Sequence, residues 1–521
     1  MHSSLLRSIS LSALALVMAT GVAFGGSALK NLSTDSIDGA GRNIMRTVDG
    51  GLVSTYAVAN GDHRDLIFSA SLDNGESWNE TVVKGVGGVQ QAAIDSNFQG
   101  SYIAFTEVED GKTVGKIAFV SAPFANKPDV LVSQAVTPAG VDAQDTFIQA
   151  SRKGWGNLSA ENRETVVYGW QDKNSKSLYV GVSRDGHSFP MARKVVEDVY
   201  ATSGPAVAIR GNYVIATYQT TNPAFAPADI PASALAGRSY PAWIESMDGG
   251  QTWSTPKPLF GLKSADYPMV KVESEPGKYD NLRLAGGTTQ PNSPILNWGG
   301  VGALSSGGSR NTGSLDDGGE DKSASSVEPP QMQGMTNFSG LDPQDGITFV
   351  QTSLVALDNK GRLGEVSVVS FRHIEPNALW THVIANNKLS DSLQSTETSK
   401  LDVSTSHFQY SALVDTPVRA TTYKEYDKSS GTARLVVAIS TDTGKKFNRH
   451  LSFTSDELVK QGVHGFDANA IFSASQCLFE DRDGEVYVDL LVSESDGVRY
   501  TRLPIGVNAQ KIRTEMKNGG T

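Results

Sequence analysis

The side chains that could do chemistry in this 521-residue chain fall into three sets: scattered histidines, one cysteine, and a spaced group of Ser, Asp, Gly and aromatic residues that recurs four times. Seven histidines lie beyond the N-terminal apolar run: His63, His187, His373, His382, His407, His450 and His464. Imidazole binds zinc or copper, but no pair here has the helical i, i+4 spacing and no cysteine cluster accompanies them. Strands distant in sequence can still gather ligands, so a bound metal ion stays open while no metal ligand is assigned and no cofactor is expected. Cys477, in the apolar run Ala470–Phe479, reads as a small buried side chain, and being alone it forms no intrachain disulfide. Asp481-Arg482-Asp483-Gly484-Glu485 lacks the full ligand series of a calcium loop and reads as a hairpin turn. There is no Gly-x-Ser-x-Gly elbow and no phosphate-cradling Gly-rich loop before a helix.

The recurring group is the most specific signal. Ser71-Leu72-Asp73-Asn74-Gly75-Glu76-Ser77-Trp78 and Ser246-Met247-Asp248-Gly249-Gly250-Gln251-Thr252-Trp253 are full copies of S-x-D-x-G-x-[ST]-W. Ser183-Arg184-Asp185-Gly186-His187-Ser188-Phe189 is one residue shorter, and Ser440-Thr441-Asp442-Thr443-Gly444-Lys445-Lys446-Phe447 keeps Ser, Asp and Gly but ends on Phe. In such a turn Asp accepts hydrogen bonds from the backbone N–H groups that follow it. Gly supplies a conformation that side chains forbid, and the aromatic ring folds back and is buried. The motif is therefore structural.

Each copy follows an apolar run: Leu66-Ile67-Phe68, Leu178-Tyr179-Val180, Pro241-Ala242-Trp243-Ile244 and Leu435-Val436-Val437-Ala438. Strands feeding one kind of turn at several places mean a repeat architecture. The spacing from Asp73 to Asp185 is 112 residues, from Asp185 to Asp248 is 63, and from Asp248 to Asp442 is 194. A unit of about 60 residues, the size of a four-stranded blade, fits all three. Seven units follow: strands at 43–48, 51–58 and 66–71; at 91–95, 101–108 and 115–121; at 146–151, 165–170 and 177–183; at 205–210, 213–218 and 241–246; at 267–272 and 364–372 around a broken middle; at 407–414, 419–425 and 433–440; and at 470–479, 485–490 and 491–499. The best helix signal, Asp456–Gln461, is short. The stretch 286–346 is rich in Gly, Ser, Asn and Asp, and is expected to be a flexible insertion within one unit.

The chain resembles the Asp-box (BNR-repeat) β-propellers of the sialidase superfamily. The resemblance implies an all-β fold: a single β-propeller of six or seven four-stranded blades, seven favoured, with Asp-box hairpins. It would occupy 28–505, followed by a C-terminal tail over 506–521. The Asp-box residues it implies are Ser71, Asp73, Gly75 and Trp78; Asp185 and Phe189; Ser246, Asp248, Gly250 and Trp253; and Asp442, Gly444 and Phe447.

Residues 1–27 read as a secretory signal: Arg7, an apolar run from Ile9 to Met18, then small residues through Ala28. That run is too short to span a bilayer, and no later segment is apolar over a bilayer's thickness. A periplasmic or extracellular location follows as an expectation. The formal net charge of −11 argues against nucleic acid, which needs basic surfaces.

Sialidase chemistry, where the resemblance carries it, needs three arginines on a substrate carboxylate, a Tyr nucleophile activated by Glu, and an Asp acid/base. Arg42, in Gly41-Arg42-Asn43-Ile44, stands where a Tyr/Phe-Arg-Ile-Pro motif would begin the first blade, without its aromatic, Ile and Pro. Arg283 and Arg372 are the other substrate-binding candidates. Tyr410, in Gln409-Tyr410-Ser411-Ala412-Leu413, resembles the Gly-Tyr-Ser-x-Leu segment of the nucleophile. Glu273 is the candidate partner, and Asp62 or Asp65 the acid/base. Sialidases have six blades, and little chain follows their nucleophile. The damaged arginine motif, the seventh unit and the long extension after Tyr410 favour a propeller that binds a glycan or protein ligand on one face, without retained hydrolysis. A sialidase-like exo-glycosidase and an extracytoplasmic metal-binding propeller are the alternatives.

Overall fold

The computed structural model describes residues 27–28, most of 42–258 and most of 347–518. They are almost entirely β: six four-stranded antiparallel sheets and one five-stranded sheet. The sheets begin with the strands Ile44–Arg46, Val89–Ser96, Ala143–Ala150, Ala206–Arg210, Ile347–Leu354, Asp402–Ala412 and Ser473–Glu480. From each first strand the chain meanders outward to the next strands of the same sheet. The first strands touch in order, sheet one to sheet seven, and the seventh touches the first. The seventh sheet takes its outermost strand from Ser27–Ala28, which pairs with Tyr500 and Arg499.

Why these segments are strands is visible in their burial. Leu66 to Ser71 is buried on both faces, as is Val166–Asp172 along its whole length. Continuous apolar runs rich in β-branched and aromatic residues suit strands covered on both sides. The apolar clusters lie between successive sheets. One joins Phe68, Phe105 and Val120 of sheets one and two to Cys477 and Tyr500 of sheet seven. Others join sheets two and three, three and four, and six and seven.

The Ser/Asp/Gly turns lie between third and fourth strands, so they share one end of the sheets with the turns between first and second strands. Ser71 Oγ donates to Asp73 Oδ1 at 2.7 Å, and Gly75 N and Ser77 N donate to Ser71 Oγ and Asp73 Oδ1 at 2.8 and 2.9 Å. The same pattern closes on Asp248, with Thr252 N and Thr252 Oγ1 at 2.9 and 2.6 Å. At Asp185 the donors are His187 N and Ser188 N, at 2.9 and 2.7 Å. At the sixth sheet Ser440 Oγ donates to Asp442 at 2.7 Å; Gly444 and Phe447 lie outside the described residues.

Each fully described turn also packs against the preceding sheet. Trp78 meets Tyr500 edge-on at 5.2 Å, and Phe189 meets Tyr102 at 6.3 Å. Gly75 and Gly186 have φ of +88° and +71°. A Cβ there would fall 1.9 Å from Tyr500 Cε1 and 2.1 Å from Gln99 Oε1, so both conformation and space require glycine.

The structure departs from the sequence reading at three places. The fifth sheet starts at Ile347–Leu354, so the strand expected first to follow the break, 364–372, is its second strand, Leu363–Ser370. In the seventh, the second strand runs on to Glu494 and the third begins at Gly497, so 491–499 holds parts of two strands; the turn signal of the sequence is Asp496-Gly497, and the apolar Leu490-Leu491-Val492 carries none. The tail expected from 506 is ordered: the last strand ends at Asn508 and Ala509–Asn518 form a helix. Asn508 Oδ1 accepts from Lys511 N at 3.0 Å as its N-cap, ahead of good helix formers. The strand expected at 267–272, the insertion 286–346 and the helix signal Asp456–Gln461 lie outside the described residues.

Candidate functional site

The end opposite the Ser/Asp/Gly turns is where first strands begin and where the hairpins between second and third strands turn. Arg42 and Asn43 enter the first sheet there. The Arg42 carbonyl accepts from Ile94 N at 2.7 Å, and Asn43 Nδ2 donates to the Ala92 carbonyl at 3.1 Å. These bonds fix the backbone of half-buried Arg42 against the neighbouring first strand.

The hairpin joining Leu52–Asn60 to His63–Ser71 reverses at Gly61-Asp62 on the same end. Asp62 is exposed; Asp65 is half-buried and accepts from Asn60 Nδ2 at 2.8 Å. His63 stands between them, Nδ1 3.4 Å from Asp62 and Nε2 3.5 Å from Asp65. Its hydrogen bond holds the Asp62 carboxyl below its ordinary range. The neighbouring hairpin tips continue the run of carboxylates. Lys116 pairs with Glu107 and Glu109, and Glu107 accepts from Gly87 N at 3.2 Å. Asp142 accepts from Thr113 N at 3.1 Å, and its own N–H donates to Asp172 at 3.1 Å. Asp172 also accepts from Asn174 N and Ser175 N at 3.1 and 3.2 Å, closing its hairpin.

Arg42, Asp62 and Asp65 therefore lie at one end of one sheet. Tyr410 is in the first strand of the sixth sheet, its backbone opposite Thr421; its side chain lies outside the described residues, as do Glu273, Arg283 and Arg372. Tyr–Glu pairs do occur elsewhere. Tyr56 donates to Glu80 at 2.6 Å, and Tyr213 to Glu245 at 3.0 Å. Both tyrosines are buried between sheets, and burial pushes the Tyr56 hydroxyl far above its ordinary range.

Sequence reasoning missed the bulged entries of the first strands. Register shifts occur between Val89 and Gln91, Gln144 and Phe147, Ile347 and Phe349, and Ser404 and Gln409. Bulges re-aim side chains at strand ends. Fully buried Asp145 adopts φ +52° at one, and its N–H donates to Gln91 Oε1 at 2.6 Å, tying two bulges together. No motif marks either residue in the sequence.

Among the described residues no group of three His, Cys, Asp or Glu is placed to hold a metal ion. His187 instead stacks edge-on against Phe119 at 4.8 Å. The side chains of the other histidines, His63 apart, lie outside the described residues. No described helix is long and apolar enough to cross a membrane.

No protein-family model and no curated protein matches the chain. Among solved structures it is similar to an ulvan lyase, a polysaccharide lyase bound to a GlcA(1-4)Rha3S unit, with TM-score 0.45 and 9% identity over 94% of this chain and 99% of that one. It is similar to a Trypanosoma rangeli sialidase in complex with the inhibitor DANA, with TM-score 0.38 and 10% identity over 95% of this chain and 62% of that one. It is also similar to an α-L-arabinanase of Penicillium chrysogenum complexed with arabinobiose, with TM-score 0.35 and 9% identity over 92% and 99%.

Proposed function

We propose that the chain is an exported, seven-bladed β-propeller of Asp-box type that binds a glycan where its first strands begin, without sialidase hydrolysis. One observation carries the choice of face. At the opposite end the polar groups of the turns are consumed by the turns themselves, Asp73, Asp185 and Asp248 each accepting from their own loops. At the entry end half-buried Arg42 and the exposed or half-buried carboxylates Asp62 and Asp65, bridged by exposed His63, bring together both signs of charge, the mixture that sugar hydroxyls and carboxylates engage. The seven sheets, their touching first strands and the packing of sheet seven on sheet one support a closed ring. A glycan-array screen followed by titration tests the reading: Arg42→Gln and the Asp62→Asn/Asp65→Asn pair should each weaken binding by about tenfold, the scale of one lost charge-assisted contact. Unchanged affinity in both variants rejects the face.

The exo-glycosidase reading keeps one supporting observation, the shared end of the first sheet for Arg42, Asp62 and Asp65. A fluorogenic sialoside distinguishes it. Turnover that disappears in Tyr410→Phe would replace the binding reading, and absence of turnover alongside glycan binding would retain it.

Export rests on Arg7 and the Ile9–Met18 run. N-terminal sequencing of the protein recovered outside the cytoplasm checks it; a mature chain that still begins at Met1 would overturn it.

A further inference from the structure

Arg502 lies on the third strand of the seventh sheet, Gly497–Asn508, directly opposite Asp489 in register. Residues opposite one another in an antiparallel pair project to the same side. On that side Asp489 is already taken: Arg46 holds both of its oxygens and Tyr500 donates to it at 2.6 Å. Other carboxylates around this turn are engaged too, exposed Asp483 apart. Glu480 holds Arg513, Asp481 accepts the N–H groups of Asp483 and Glu485, and Glu485 accepts from Asn508 at 2.8 Å.

Among the described residues Arg502 is therefore left without a counter-ion. Its guanidinium sits over the Tyr487 ring at 3.8 Å and near the Phe479 ring at 4.7 Å. It is half-buried, and its buried Nε has no hydrogen-bond partner among the described residues. Aromatic rings that cover the face of a guanidinium fix its plane, and its N–H donors all lie on its edge, where a planar acceptor must approach. A buried donor without a partner costs stability, and an arriving acceptor relieves that cost.

We propose that Arg502 is the centre of an anion site for a carboxylate-bearing ligand, with Tyr487 and Phe479 clamping its guanidinium, at the turn end of the seventh sheet. A single carboxylate matches the fork of one arginine. Sulfate and phosphate dianions match it less well, because Glu480, Asp481, Glu485 and Asp489 supply negative charge nearby. The site stands at the end opposite Arg42 and does not depend on the glycan reading.

The test is equilibrium binding by ligand-observed NMR, using acetate and glucuronate as carboxylate probes with glucose and sulfate as comparisons. Both carboxylates should bind the full-length protein and glucose should not. Arg502→Met, which keeps the apolar stem over Tyr487, should weaken carboxylate binding by at least about tenfold. Arg502→Lys, which keeps the charge and loses the fork, should weaken it similarly, and Arg193→Met, an exposed arginine of the third sheet, should not. Circular dichroism and a thermal melt verify that each variant is folded. No carboxylate binding to the wild type, or equal binding to Arg502→Met and wild type, overturns the proposal. Tighter binding of sulfate than of acetate overturns the carboxylate assignment.

Discussion

Arg46, on the first strand of the first sheet, grips Asp489, on the second strand of the last, through two hydrogen bonds of 2.8 and 3.0 Å across 443 residues of sequence. The two side chains are 7% and 0% exposed. Arg46 Nη1 also donates to the Gly50 carbonyl at 2.6 Å and to Asn74 Oδ1 at 2.9 Å, and Tyr500 donates to Asp489. Both charges are thus paired and further hydrogen-bonded, the condition under which a buried ion pair is tolerated.

Removing one partner leaves the other charge buried. Asp489→Asn or Arg46→Gln should each cost about 3–5 kcal/mol, whereas Arg46→Met/Asp489→Leu should cost clearly less than their sum. Urea titrations of the two singles and the double supply the cycle. A cost below about 1 kcal/mol for Asp489→Asn would mean the pair does not hold this junction.

The junction also shields the thiol. Cys477 is 4% exposed, with Sγ 4.0 Å from Asp489 Oδ2. Modification by a thiol reagent should run at least about a hundredfold slower in the native protein than in urea, because the group reacts only on opening. Arg46→Gln should accelerate native-state labelling. Rapid labelling of the unaltered protein would contradict the burial.

The turn aspartates make stability depend on acid pH. Asp73 and Asp248 are held at about 2: what burial there is acts upward, and the hydrogen bonds from Ser77 and Ser71, and from Thr252, Ser246 and Gln251, outweigh it. Asp185 is held lower still, burial again being outweighed by bonds from Ser188, His187 and Ser183. Unfolded Asp titrates near about 3.9. A depressed folded-state value stabilises above that point, and the contribution is lost as pH falls toward about 2. Denaturation midpoints measured from about pH 5 to about pH 2 should fall more steeply for the wild type than for Asp73→Asn/Asp185→Asn/Asp248→Asn. Parallel slopes would remove the role assigned to these carboxylates.

The turn aromatics act as joints between sheets. Trp78→Ala, which removes the contact with Tyr500, should cost about 2 kcal/mol, less than a full core deletion because Trp78 is half-buried. Leu72→Ala, in the same turn and 69% exposed, should change stability by less than about 0.5 kcal/mol. Thermal melts of the pair decide it; equal effects would mean the ring is not a joint.

The all-β repeat was legible because its signals are local. Ser71, Asp73, Gly75, Ser77 and Trp78 carry within eight positions the donors, acceptors and backbone requirement of their turn, and the apolar runs before each copy encode a strand. The candidate site was less legible. Arg42, Asp62 and Asp65 are named by the sequence, but their common end of one sheet follows from strand directions. Gln91 and Asp145 carry no motif, because a bulge is a mismatch between two strands and neither strand records it alone.

What the sequence determined by itself was the repeated unit, its turn chemistry and the net charge of −11, all properties of short segments or of composition. What only the tertiary structure decided was partnership: Arg46 with Asp489, Trp78 with Tyr500, and Arg502 over Tyr487. Those pairings join the first and last sheets or neighbouring strands of one sheet. A side chain's partner is set by which strands the folded chain brings side by side, and its distance along the sequence holds no trace of that.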